Sequence, residues 1–157
     1  MCTYLKPEEK NIQIAEKAIK VFKIVKVKNG KLYAPYGHGW SRETKPYKST
    51  KQITGKLPTP KHCGTYPTIM GKKDFYVIHD GVHSFASQYD AQCHADYLNE
   101  FYNENGSAKY VVVESRIPKN TRYIKGYNKM VSLPVIGTFD LAEEVFVSEK
   151  VKLVGDW

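Results

Sequence analysis

Hydrophobic and polar positions change period along this chain, and the change is sharpest around residue 80. The apolar run Phe75 to Ile78 predicts a strand that leads into Asp80-Gly81, and a second short run, Val82 to Ala86, follows. The period then becomes helical. Ala91, Ala95, Leu98 and Phe101 or Tyr102 fall on one face, with Glu100, Asn103 and Glu104 facing water, which predicts a main helix over Ser87 to Asn105. Ser87 with Asp90 three residues later forms a capping box, in which side chains satisfy otherwise orphan amides. Asn105-Gly106 supplies a left-handed stop.

The same reading applies elsewhere. Pro7 to Ile19 predicts a short N-terminal helix: Pro7 suits the first turn, Glu8 and Glu9 suit the positive end of the dipole, and Ile12, Ala15 and Ile19 share a face. Lys20 to Val27 is rich in β-branched residues and predicts a strand. Asn29-Gly30 is a strong hairpin turn, since both positions tolerate positive φ, and Lys31 to Tyr36 is the return strand. Lys109 to Ile117 contains three consecutive valines and predicts a central strand covered on both faces. Thr121 to Lys125 predicts a short strand. Val131 to Phe139, interrupted by Pro134 and Gly137, predicts an edge strand or loop, and Val145 to Val154 a last strand. Ser41 to Lys73 is poor in apolar residues and carries Pro46, Pro58, Pro60 and Pro67, so it reads as one long loop or lid. The expected architecture is a single-domain α+β fold over residues 1–157. Its mixed or mostly antiparallel sheet would be packed by the main helix and the shorter N-terminal one.

Composition changes this picture little, and charge changes it more. A chain of 157 residues can bury a core without staples, and twelve Tyr and six Phe supply large apolar area. No run of about 18 apolar residues is present, and residues 1–10 lack an apolar signal-peptide core, so a cytoplasmic protein with no membrane partner is expected. Three widely spaced cysteines, Cys2, Cys63 and Cys93, suit reduced thiols. The net charge is +8, and the segment from Arg42 to Lys73 holds eight basic residues against Glu43 alone, nearly the whole excess. Such a field attracts polyanions: nucleic acid, phosphorylated small molecules or acidic proteins. Its bland counterpart is a solvated basic loop.

Candidate chemistry follows the charge. Tyr36, His38 and Trp40, with Arg42 beside them, are suited to stacking on a base or sugar, and equally to covering the core edge. Lys45, Lys48 and Lys51 recur every third residue around Tyr47. His79 and His83 flank Asp80-Gly81. His83 leads into a helix N-terminus, where a charged imidazole and free amides would hold phosphate. Arg116 and Arg122 flank the Pro118 turn and would add to that field. Cys2 would be an amino-terminal nucleophile after loss of Met1, but no glycine-rich partner loop accompanies it. His62-Cys63 and Cys93-His94 mirror each other, yet adjacent residues rarely reach one metal together, so no metal is expected.

Two family resemblances enter here. Val21 to Tyr36, Gly81-Val82-His83-Ser84-Phe85 with Asp90-Ala91, and Ile117 to Tyr123 resemble the order of parts in a group of small uncharacterised proteins of bacteria and their phages. That resemblance brings no activity of its own. A phage source would make sequestration of a host nucleotide signal a natural use. Gly81 to Phe85, Ile117 to Asn120 and Glu144-Val145-Phe146 also resemble the strand, turn and late-strand glutamate of the ADP-ribosyltransferase fold. By that resemblance Glu144 is catalytic, Ser84 lies in the nicotinamide pocket and NAD is the substrate, although Ala142 breaks the usual two-acid motif.

The leading expectation is therefore a non-enzymatic binder of a phosphorylated, nucleotide-like ligand without a cofactor, held by Tyr36, His38, Trp40, Arg42, Lys45, Lys48, Lys51, His83, Ser84 and Arg122. The alternatives are an NAD-using transferase, and a protein or nucleic-acid interaction module built on the basic segment. A homo-oligomer is compatible with each.

Overall fold

Antiparallel pairing of β-branched segments dominates the structure, a computed structural model that describes residues 2–35, 45–102 and 106–157. The strands are β1 (Thr3–Leu5), β2 (Gln13–Ile14), β3 (Ile19–Lys28), β4 (Lys31–Tyr33), β5 (Gln52–Thr54), β6 (Lys61–Thr68), β7 (Gly71–Ile78), β8 (Val82–Phe85), β9 (Lys109–Ile117), β10 (Arg122–Ser132), β11 (Phe139–Ser148) and β12 (Lys150–Leu153). One α-helix, α1 (Gln88–Phe101), lies between β8 and β9. All twelve strands join one sheet, whose main path is β5-β12-β9-β3-β8-β11-β10-β1-β7-β6, with β2 beside β10 and β4 beside β3.

Strand makes up 52% of the structure and helix 12%, so the fold is sheet-dominated rather than the α+β arrangement expected from the pattern. The N-terminal helix is the main error. Pro7–Glu9 forms only a single 3-10 turn. The chain then extends, because Gln13 and Ile14 pair with Tyr123 and Arg122, and Ala15 exchanges backbone hydrogen bonds with Asn120 and Thr121. An isolated helix of about a dozen residues is marginal in water, and the ladder outcompetes it.

The presumed loop of residues 41–73 is also corrected. Within it lie β5, β6 and the start of β7, which form an edge strand and most of a hairpin. Exposed lysines and threonines gave these strands no apolar alternation to read, since most of their side chains face solvent. Arg122 to Lys125 open an 11-residue strand, and the expected last strand over residues 145–154 is divided between the end of β11 and β12.

The Asn29-Gly30 turn closes β3 and β4 with φ of 51° and 72°, and β9 sits inside the sheet between β12 and β3. The helix begins where its cap predicts: the Asp90 amide donates to Ser87 Oγ at 3.3 Å. It ends at Phe101, short of Asn105, which lies outside the described residues.

The sheet is covered on both faces. On one, Ala91, Ala95 and Leu98 of α1 pack on Ile24, Phe85, Tyr110 and Val145. Asn99 bolts the helix to β9 through two 2.8 Å bonds: its Nδ2 donates to Tyr110 O, and the Tyr110 amide donates to its Oδ1. On the other face, Val21, Val25, Val82, Val113 and Ile117 meet Ile53 of β5, Val151 of β12 and partly buried Tyr47.

Candidate functional site

Strand alternation places Val21, Lys23 and Val25 on one face of β3. Both valines belong to the core cluster on that face, and Lys23 lies between them with only 5% of its surface exposed. A lysine is almost never buried to this degree without a partner. Among the described residues no hydrogen bond or ion pair engages its ammonium. Burial alone lowers its pKa to about 8. The register pairing Phe22 with Phe85 carries Lys23 opposite Ser84. Ser84 is itself buried, and its Oγ has no hydrogen-bond partner among the described residues.

Lys23 lines a cavity of about 460 Å³. Ala34 and Pro35, just after β4, form part of one wall with Tyr47, whose amide donates to Leu32 O at 2.8 Å. Burial pushes the Tyr47 phenol up to about 12, so the ring is a neutral platform. Ile53 and Val82 are apolar lining, and Thr54, Gly55 and Lys56 continue from β5 along the cavity. Residues 79–83, from the end of β7 into β8, also line it, and exposed His79 and Asp80 lie beside Gly81 there. A Cβ on Gly55 would stand 3.2 Å from the Gly81 backbone, and Gly81 has φ of 98°. The two chains therefore approach as closely as they do because neither carries a side chain there. The cavity brings two lysines and one aspartate together around apolar and aromatic surface, an arrangement suited to an anion attached to a flat or apolar body.

His83 lines the cavity but does not act there as a cation. Its Nδ1 lies 2.8 Å from Thr3 Oγ1 and its Nε2 3.2 Å from His79 O. The carbonyl can only accept, so Nε2 carries the proton and Nδ1 accepts from the threonine hydroxyl. Burial, aided by the nearby Lys23 charge, holds the imidazole pKa down to about 3. The expected charged phosphate ligand is thus a neutral, twice-bonded histidine.

The other anticipated residues are dispersed. Tyr36, His38, Trp40 and Arg42 lie outside the described residues. Lys45, Lys48 and Lys51 are exposed and do not line the cavity, although Tyr47 among them does. Arg122 pairs with Glu149 at 3.2 Å on the surface, and Arg116 is exposed. Glu144 is half exposed, 3.1 Å from Lys125, and away from the cavity lining. Neither Glu144 nor the buried Ser84 hydroxyl is among the residues that line this cavity. Cys63 and Cys93 are exposed, His62 bonds Asp74 at 3.0 Å, and no group of three metal-ligating side chains gathers among the described residues.

Lys23 is not singled out in the sequence, where Lys20 to Val27 reads only as a strand rich in β-branched residues. Its signal was the period: it shares parity with Val21, Val25 and Val27, the apolar face. Among the described residues no helix is long and apolar enough to cross a membrane. Comparison with known proteins finds no matching family model, no matching curated protein and no matching solved structure.

Proposed function

We propose that the chain binds a phosphorylated, nucleotide-like small molecule in the Lys23 cavity. The observation that carries this reading is the Lys23 side chain on the cavity wall, buried and without a partner for its ammonium among the described residues. A bound phosphate would supply the missing counter-charge, and Lys56 would add a second cation from the 53–56 segment. Tyr47, Ile53 and Val82 offer the face against which a base or sugar would lie, and the volume falls within the range of small-molecule sites. The function is capture rather than turnover, and in a phage-encoded chain it would sequester a host nucleotide signal.

Thermal melting against mono-, di- and cyclic nucleotides, NAD, ADP-ribose and sugar phosphates tests this. A ligand at a hundredfold excess over its Kd stabilises the native state by about 2.7 kcal/mol. One compound class should raise Tm, and Lys23→Met should abolish the shift. No shift with any compound would reject the reading.

A second reading has its own observation. The β6–β7 hairpin presents Lys61, Lys72 and Lys73 to solvent, and its tip carries Ile69 and Met70, 70% and 91% exposed. A basic ribbon with an apolar tip is suited to nucleic acid, with lysines on phosphates and the tip against a base step. Steep loss of duplex binding with salt, and its removal in a Lys72→Glu/Lys73→Glu variant, would support it. Salt-independent or absent binding would reject it.

A further inference from the structure

The buried cation of the cavity, Lys23, is also a nucleophile. Lys56 lies exposed on the same cavity, where a lysine acting only as a phosphate anchor keeps its hydration. Lys23 instead lies mid-strand between Val21 and Val25, across from Val113 on β9, with no acid paired to it among the described residues. Such a place makes the neutral amine, the state in which nitrogen has a free lone pair, easier to reach than at an exposed lysine. Opposite it in register is Ser84, whose hydroxyl is buried and has no hydrogen-bond partner among the described residues.

We propose that Lys23 condenses with an aldehydic carbon of the bound ligand, so that the ligand class is a sugar phosphate or nucleotide with a free anomeric carbon. This rests on the reading of the cavity as an anion site and narrows what that anion is attached to. The nitrogen lone pair adds to the carbonyl carbon of the open-chain sugar, and the carbonyl π pair moves to oxygen. That oxygen takes up a proton as nitrogen loses one, giving a carbinolamine. The carbinolamine hydroxyl then takes up one proton from solvent, in place of the one the ammonium released before the attack, and leaves as water as a protonated C=N bond forms. One water is released and nothing is oxidised or reduced. The protonated imine carries the same single positive charge as the ammonium, so the phosphate has its counter-charge both before and after the condensation.

The test is reductive trapping on the whole chain. Protein is incubated with ribose 5-phosphate and cyanoborohydride, and in parallel with ribitol 5-phosphate, which has the phosphate but no carbonyl. Intact mass and peptide mapping then locate any adduct. The expected result is one saturable adduct at Lys23, formed at least tenfold faster than at exposed Lys48 or Lys72, with none from ribitol 5-phosphate and none at this position in Lys23→Arg. The trapping rate should rise as pH passes through about 8, a readout on the unmodified protein that does not require the variant to fold. A melting shift with both compounds but no preferential Lys23 adduct overturns the imine and leaves the anion site standing. No shift with either compound and no adduct overturns both.

Discussion

Thr3 and His83 are eighty positions apart and share a buried 2.8 Å hydrogen bond, made to an imidazole that burial holds neutral. The folded His83 has a pKa near 3, against 6.5 for a free side chain. The unfolded chain therefore takes up a proton below about pH 6.5 that the folded chain refuses. Stability conferred by this residue is complete at neutral pH and falls as pH drops from 6.5 toward 3, by roughly 1.4 kcal/mol per unit. Urea midpoints at pH 7, 5.5 and 4.5 should show this slope, and His83→Gln should flatten it. Thr3→Val, which leaves Nδ1 unpaired, should cost about 1–3 kcal/mol at pH 7.

Lys23 has the opposite relation to alkaline pH. Its pKa falls from 10.5 to about 8 on folding. Between those values the unfolded chain holds a proton that the folded chain has lost, so the native state gains stability as pH rises from 8 to 10.5. At pH 7 both forms are charged, and burying the charge costs on the order of 3 kcal/mol. Lys23→Met should therefore be more stable than the unmodified chain at pH 7 by about 2–3 kcal/mol, and the gap should narrow toward pH 10. An equal or lower melting temperature at pH 7 would contradict the burial argument.

Gly81 joins β7 to β8 at the cavity. An alanine there would need φ of 98° and would bring its Cβ 2.6 Å from Val147 Cγ1. Gly81→Ala should lose about 1–3 kcal/mol by strain and overpacking, and weaken any cavity ligand more than the loss of stability alone predicts. Isothermal titration beside a melting curve separates the two effects.

The helix offers a local control. Ser87→Ala removes the cap on the Asp90 amide and should cost about 1 kcal/mol, with cavity binding unchanged. Asn99→Ala breaks both bonds to the backbone of buried Tyr110 and should cost more, because two hydrogen bonds at a buried residue are lost instead of one.

Where a segment's structure depends on its nearest neighbours, the sequence was readable. Asn29-Gly30 turns because those two residues accept positive φ, and α1 starts at Ser87 because a hydroxyl there meets an amide three residues on. The valine-rich β9 is interior, as three consecutive apolar residues require cover on both faces. Pro7 to Ile19 defeated the same reasoning. Its helical spacing is real, but partners at residues 120–123 draw it into the sheet, and no local pattern reports a partner a hundred residues away.

The candidate site divides in the same way. The stretch His79 to Ser84 was visible as a place of interest, while the charge that matters in it comes from β3 and the cover from Tyr47 and residues 53–56. By itself the sequence determined the turn, the cap, the central strand and the excess of positive charge, because each is written in adjacent residues. Tertiary structure alone decided that His83 is neutral and that Lys23 is buried. Ionisation depends on how much water and which partners surround a group, and those are set by strands that meet only when the sheet closes over them.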